Sequence, residues 1–196
     1  MYRSPFLIPV FCIASAHAQS IQSGYQPMTG EDRLRWAVVS TVGPRSLMSG
    51  VFSAGLGTLT NSPEEYGPHW DGFGKRYGMR LTGIATGNVI EAGLGAAWGE
   101  DPRYFRAEGQ PVGSRIGNAV KMTFLARNKD GGIRPAYARY IAVAGNNVLS
   151  NTWRADSEAT AADASLRIGI GFLSRMGSNL LSEFLPDMKR RLSRKK

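Results

Sequence analysis

Small and apolar residues recur along the chain at steps of three and four positions, which is the spacing of one face of an α-helix. The two longest series are Met79, Gly83, Gly87, Ile90, Leu94, Trp98 and Ala162, Leu166, Gly169, Leu173, Gly177, Leu180, Phe184. The pattern predicts an all-α fold, a compact bundle of about six helices. We place these helices at residues 30–41, 45–60, 71–99, 112–127, 135–151 and 157–185.

Start and stop signals support these boundaries. Thr29 and Asp32 match the capping box that opens many helices, and Pro44 suits the first turn of the second helix. The stretches TNSPEEYGP, from residue 60, and RNKDGGIRP, from residue 127, are rich in residues that end helices and form turns.

Glycine is abundant on the predicted helix faces, and the chain contains 24 glycines in all. A glycine inside a helix costs about 1 kcal/mol relative to alanine, so its repeated use on one face needs a compensating gain. Close approach of two helix backbones supplies that gain. We therefore expect packing seams of Gly, Ala and Ser between helices, and the same faces allow a homo-oligomer to form.

Seams of small residues also occur between membrane helices. The longest uncharged run, SLMSGVFSAGLGTLTNSP from residue 46, is rich in Gly, Ser and Thr, while Glu91, Arg139 and Arg175 interrupt the other apolar stretches. We therefore expect no spanning helix. Shallow contact of amphipathic helices with a membrane surface is the alternative that this composition leaves open.

A strand-based alternative is a small outer-membrane β-barrel of about eight strands. Its strands would alternate apolar and polar residues, yet Ile84 and Ile90 would face away from Met79, Leu81 and Val89. The broken alternation favours the helical interpretation of this stretch.

The first 18 residues have the layout of a secretory signal peptide. Arg3 gives a positive start, residues 5–14 are apolar, and the triplet Ala16-His17-Ala18 offers a small-residue cleavage site. We expect cleavage after Ala18, which also removes Cys12, the only cysteine. The mature chain could then form no disulfide and no thiolate metal site, and we expect no metal and no cofactor.

Positive charge is concentrated at the C-terminus. The chain carries 24 Lys and Arg against 15 Asp and Glu, and the last eight residues hold six of the basic side chains. These six are Lys189, Arg190, Arg191, Arg194, Lys195 and Lys196. We therefore divide the mature chain into a helical domain, 19–188, and a basic tail, 189–196. Such a cluster favours anionic lipid or an envelope polyanion as partner, whereas export disfavours nucleic acid.

Few residues offer catalytic chemistry. Once the signal peptide is removed His69 is the only histidine, and the carboxylates of Glu100 and Asp101 are the other candidates for acid–base catalysis. Acids at helix ends commonly cap exposed N–H groups, so we assign no catalytic residue. A hydrolase or lyase of envelope polymers that uses these three side chains is the enzymatic alternative.

The stretch GEDPRYF, residues 99–105, predicts a corner of the fold. Gly99 stands where the third helix should end, and Pro102 falls where the following turn begins. We expect the aromatic pair to fill a gap between helices. The resulting structural motif comprises Asp101, Pro102, Arg103, Tyr104 and Phe105.

Four stretches, taken in order, resemble a family of exported bacterial proteins whose activity is uncharacterised. They are NSPEEYGPHWDGFGKRYG, EDPRYF, the RNKDGG turn followed by a small-residue helix, and SEFLPDMKRRL. Members of that family often carry EFWPD where this chain has EFLPD, and a tyrosine-rich SNLYYP where it has NNVLSNTWRADS. The resemblance implies an exported, Gly-rich, helical envelope domain and brings no activity with it.

Together these features predict an exported protein of the cell envelope, in the periplasm or at the outer membrane of a bacterium with two membranes. We expect a non-enzymatic role, either structural or at a membrane surface. The polymer hydrolase or lyase and the β-barrel are the alternatives.

Overall fold

The chain folds into six α-helices and five short strands in the part that the computed structural model describes, residues 18–20 and 24–193. The helices are α1 Gly30–Val42, α2 Pro44–Leu59, α3 Trp70–Trp98, α4 Val112–Phe124, α5 Tyr137–Leu149 and α6 Ala161–Ser193. The all-α prediction is confirmed. Residues 1–17 of the predicted signal peptide, and Arg194, Lys195 and Lys196 of the predicted tail, lie outside the described residues.

The helix ends follow the predicted signals. The Thr29 hydroxyl accepts a hydrogen bond from the Asp32 N–H (3.2 Å), and the Asp32 carboxylate accepts one from the Thr29 N–H (3.0 Å), which completes the capping box of α1. Pro44 occupies the first position of α2. Gly99 ends α3 in the left-handed region at φ 75°, a conformation that glycine adopts without strain.

Helix α3 is the centre of the bundle and packs against α1, α2 and α5, while α6 packs against α4 and α5. A Cβ placed at Gly50 would lie 2.7 Å from the Tyr77 ring, and one placed at Gly83 would lie 3.7 Å from Nδ2 of Asn146. Small residues therefore do bring α2 and α5 close to α3, as the seam pattern predicts.

The seams do not extend to every glycine series. A Cβ added at the following glycines would meet no neighbouring atom within 4 Å: Gly113, Gly117, Gly145, Gly169 and Gly177. Within the described part of the chain these glycines leave their helix faces open instead of bringing two helices together.

The strands form two small sheets at the end of α3. β2 Glu100–Asp101, β4 Leu125–Asn128 and β5 Ile133–Pro135 make an antiparallel sheet in the order β2-β4-β5, and β1 Ala18–Ser20 runs parallel to β3 Tyr104–Arg106. The fourth helix ends at Phe124, earlier than the predicted 127, because the backbone of Leu125–Asn128 pairs with both β2 and β5.

Helix α6 continues past the predicted end at residue 185, and Pro186 lies inside it. Pro186 has no N–H to donate to the carbonyl of Ser182. In the same turn the carbonyl of Glu183 accepts hydrogen bonds from Arg106 Nη2 (3.0 Å) and Arg115 Nη2 (2.5 Å). These arginines stabilise the turn, and residues 189–193 of the predicted tail are helical.

The interior of the bundle is rich in small and charged side chains. Among the described residues one buried apolar cluster comprises Tyr104, Phe105, Ala119 and Met122. The buried charged side chains are Arg76, Glu91, Glu100, Asp101, Arg106, Arg139 and Glu183. Charged residues are seldom buried unless they are paired, so the pairing of these groups decides how the fold holds together.

No helix among residues 24–193 is both long enough and apolar enough to cross a membrane.

Two neighbouring glycines of α3 test the packing of the loop that precedes it. A Cβ at Gly72 would overlap the carbonyl oxygens of Gly67 and Tyr66, which belong to the backbone. We expect Gly72→Ala to lower the free energy of unfolding by about 1–3 kcal/mol in urea denaturation followed by circular dichroism. Gly74→Ala, where an added Cβ meets open space, is the control and should be neutral or stabilising by up to about 1 kcal/mol. Equal losses in both variants would contradict this packing.

Candidate functional site

Glu100 caps a distant helix. It follows α3, and its carboxylate accepts hydrogen bonds from the N–H groups of Tyr137 (3.1 Å) and Ala138 (3.0 Å), the first residues of α5. Burial raises the pKa of the Glu100 carboxyl, and the two N–H groups oppose that rise. Glu100 therefore caps a helix, as predicted for acids of this stretch, but the helix is α5, which begins 37 residues later in the sequence.

Asp101 is bound mainly by Arg103, a residue of the same predicted structural motif. The side chain is 1% exposed, and its carboxylate accepts from the Arg103 N–H (3.0 Å) and pairs with Arg103 Nη2 (2.6 Å). The Tyr25 hydroxyl donates to the same carboxylate at 3.4 Å. Burial, together with the charge of Asp101, raises the pKa of Tyr25 to about 12, so the phenol keeps the proton that it donates.

His69 lies far from these acids. It is the exposed residue before α3, whereas Glu100 comes after the end of the same 29-residue helix. At 1.5 Å per residue that helix is about 43 Å long. The structure therefore separates Glu100 and Asp101 from His69 and gives the two acids different partners.

The space between the candidate acids is filled. Glu91, Glu100, Asp101 and Arg139 surround a narrow gap beside Gly95 and Pro102, and the gap has no volume that admits a water molecule. Among the described residues, no group of three or more His, Cys, Asp or Glu side chains is arranged to hold a metal ion.

Glu91 joins three helices. Its carboxylate lies 2.9 Å from Nε of Arg139 on α5 and 3.1 Å from Nη2 of Arg175 on α6. Arg139 Nη1 also donates to the carbonyls of Met122 (2.8 Å) and Thr123 (3.1 Å) at the end of α4. Burial and the neighbouring charge of Arg139 lower the pKa of Arg175 to about 10, which leaves it protonated at neutral pH.

Glu183 connects the SEFLPD stretch of α6 to the EDPRYF stretch that follows α3. Its fully buried carboxylate accepts from the Tyr104 hydroxyl (2.6 Å), the Ala107 N–H (3.1 Å) and Arg115 Nε (2.8 Å). Burial and the Glu183 carboxylate raise the pKa of Tyr104. The EFLPD stretch of α6 is thus bound directly to the PRYFR stretch.

Asp187, at the end of the same EFLPD stretch, adds a second bridge. Its carboxylate lies 3.1 Å from Arg106 Nη2 and 2.6 Å from Arg115 Nη2. Although burial opposes it, the contacts with Arg115 and Arg106 hold the pKa of Asp187 below its usual value. Both acids of EFLPD therefore anchor the corner that follows α3.

Arg76 has a similar structural role in the glycine-rich stretch GFGKRYG. Its guanidinium donates to the carbonyls of Ser62 (2.8 Å), Pro63 (2.7 Å) and Gly67 (2.7 Å), and so holds the loop between α2 and α3. This arginine is buried, so its charge is used within the fold.

The sequence alone marks three charges of this network but does not predict their partners. Glu91, Arg139 and Arg175 are the charges that interrupt the apolar stretches, and the structure shows that Glu91 pairs with both arginines. The sequence predicts no role for Arg115, and it marks Glu183 only as part of the SEFLPD stretch. The sequence signal for Glu183 and Arg115 is the one that marks Glu91, namely a charged residue next to small residues in a predicted helix.

The described basic residues of the predicted tail are exposed on the last turns of α6. Lys189, Arg190 and Arg191 project from this helix, and Arg190 Nη1 lies 2.8 Å from the carboxylate of Glu108. The first part of the predicted anion-binding cluster is therefore an ordered helical surface.

Large apolar side chains lie on the outside of several helices. On α6 the outer face consists of Leu166, Ile170, Leu173, Leu181, Met188 and Leu192, which are 51–67% exposed. Helix α4, which packs against α6, carries an exposed series at four-residue steps: Val112, Ile116, Val120 and Phe124. Exposed apolar side chains arranged on one face of a helix make that face a candidate contact surface.

No family model, no curated protein and no solved structure matches this chain.

Removal of one hydroxyl tests the Glu183 network. Tyr104→Phe leaves the buried carboxylate with one donor fewer, and we expect the free energy of unfolding to fall by about 1.5–3 kcal/mol because the acceptor is charged. Urea denaturation monitored by circular dichroism measures the difference.

The matched control is Tyr137→Phe, because the Tyr137 ring is 57% exposed. We expect that variant to lose less than about 0.5 kcal/mol. If both variants had the same urea midpoint of unfolding as the wild-type protein, the hydrogen bond from Tyr104 would not stabilise the fold as predicted.

Proposed function

We propose that this chain is an exported protein of the bacterial cell envelope without catalytic activity, and that it associates with an anionic membrane surface through the outer face of α6. The observation that carries the proposal is the presence of an apolar stripe and basic side chains on one exposed helix. Amphipathic helices of this composition bind in the plane of the lipid head groups.

The apolar component is the outer face of α6. Its six large side chains are each more than half exposed, from Leu166 near the first turn to Leu192 near the last. Each such side chain gains about 1.5–3 kcal/mol when it is fully removed from water, so even partial burial of several of them against lipid gives appreciable affinity.

The electrostatic component lies at the end of the same helix. Lys189 and Arg191 are exposed next to Met188 and Leu192, whereas Arg190 is exposed but paired with Glu108 at 2.8 Å. A basic side chain near an anionic surface contributes about 1 kcal/mol, and Arg194, Lys195 and Lys196 add three further charges to the sequence. Apolar and electrostatic attraction would thus act on the same surface.

The arrangement of the candidate acids supports a non-catalytic role. Glu100 and Asp101 are engaged by backbone N–H groups and by Arg103, and the gap between them admits no water. His69 lies at the opposite end of α3. A polymer hydrolase would need an open cleft in which an acid and a base face the same substrate bond.

Flotation with lipid vesicles tests the electrostatic component. The purified protein should float with vesicles that contain phosphatidylglycerol, and high salt should weaken this binding. We expect the triple variant Lys189→Gln, Arg190→Gln, Arg191→Gln to bind about a hundredfold more weakly. The matched triple Arg35→Gln, Lys75→Gln, Lys121→Gln also removes three exposed charges and should bind like the wild-type protein.

The same assay tests the apolar component. Leu173→Gln combined with Leu181→Gln should reduce flotation, whereas Leu59→Gln, at an exposed position on α2, should not. Equal weakening by both charge triples, or equal binding to neutral and anionic vesicles, contradicts the proposed surface. Fractionation of the native cell into periplasm, inner membrane and outer membrane tests export separately.

A further inference from the structure

A groove opens at the end of the bundle where α1 begins and α3 ends. It has a volume of about 280 Å³, and residues of α1, α3, the segment before α1 and the β4–β5 turn line it. Arg33 and Lys129 contribute cations to its wall, and Pro27, Met28 and Ala96 contribute apolar surface. The groove is separate from the filled gap between Glu100 and Asp101 and from the outer face of α6.

The two cations reach the groove from different elements that are fixed in place. Arg33 Nη1 donates to the carbonyl of Glu100 at 2.8 Å, which anchors the guanidinium at the end of α3. The N–H of Lys129 donates to the carbonyl of Gly99 at 2.9 Å, so the start of the β4–β5 turn is attached to the same corner. The guanidinium of Arg33 is thus anchored directly, and Lys129 extends its side chain from a backbone that is attached to the same corner.

The positive charge of the groove is not cancelled by the neighbouring acid. The carboxylate that acts on Arg33 is Asp101, and Asp101 is already paired with Arg103 at 2.6 Å. Asp32 is bound to Thr29 in the capping box, and Asp130 is paired with Arg134 at 2.8 Å. An oxyanion is therefore the ligand that complements the charge of this wall.

An apolar track leads away from the groove along α1. Gly30 lines the groove, and Leu34, Val38 and Val42 follow it at four-residue steps on the same helix face, 67%, 51% and 47% exposed. Ala96 also lines the groove, and Val89 is exposed two turns earlier on α3, the helix that packs against α1.

We propose that this groove binds an anionic amphiphile. Its oxyanion head group lies between Arg33 and Lys129, and its alkyl chain lies along Leu34 and Val38. The inference rests on the groove, its two cations and the adjoining track, and it holds whether or not the outer face of α6 binds a membrane.

Calorimetric titration of the purified protein tests the proposal with three probes below their micelle concentrations. Decyl phosphate carries the anion and the chain, inorganic phosphate carries the anion alone, and decyl maltoside carries the chain under a neutral head group. We expect saturable binding of decyl phosphate at one site and at least tenfold weaker binding of the other two probes.

Variants locate the binding. Lys129→Gln should weaken the binding of decyl phosphate about tenfold, because it removes one charged contact. Gly30→Phe should abolish binding, because an added side chain there meets open space in the groove and fills it. Lys121→Gln removes an exposed lysine from α4 and should leave the affinity unchanged.

Melting curves show whether each variant is folded. If Gly30→Phe does not fold, Lys129→Gln still provides the test. Equal affinity for decyl phosphate and decyl maltoside overturns the proposal, as does equal affinity for decyl phosphate and inorganic phosphate. Unchanged affinity in a folded Lys129→Gln protein overturns it as well.

Discussion

Buried carboxylates that each bind donors from several elements hold this fold together. Glu91 connects α3 to α5 and α6, and Glu183 connects α6 to α4 and to the corner after α3. A buried ion pair adds little when compared with well-packed apolar residues, but breaking one partner leaves an uncompensated charge and costs about 3–5 kcal/mol. The helices are thus held in one arrangement, because any other packing would leave these buried charges without partners.

The same constraint explains where the apolar side chains lie. With Ala, Gly and charged groups in the interior, many large aliphatic residues remain on the outside, including the outer face of α6 and the track on α1. In water such surface is unfavourable, and contact with lipid or with an alkyl chain removes it from solvent. Both proposed contacts follow from this distribution, one on a convex helix face beside basic residues and one at a groove with two cations.

The helices could be predicted from local signals. Periodicity predicts the second to sixth helices, and the capping box at Thr29 predicts the first; this box and the left-handed Gly99 set boundaries through contacts a few residues apart. β4 could not be recognised, because four residues are too few for an alternating pattern and its pairing is tertiary. The extension of α6 past Pro186 likewise depends on Arg106 and Arg115, which lie far away in sequence. In the sequence Glu91 stands out only as a charge that interrupts an apolar stretch. Its role cannot be predicted from local signals, because its partners are 48 and 84 residues away.

The paired charges inside the bundle, and not the aliphatic residues outside it, determine stability. Urea unfolding of Arg139→Leu and Ile170→Ala compares the two directly, because Arg139 is buried against Glu91 whereas Ile170 is half exposed on α6. We predict a loss of about 3–5 kcal/mol for Arg139→Leu and less than about 0.5 kcal/mol for Ile170→Ala. A larger loss for Ile170→Ala than for Arg139→Leu would contradict this account.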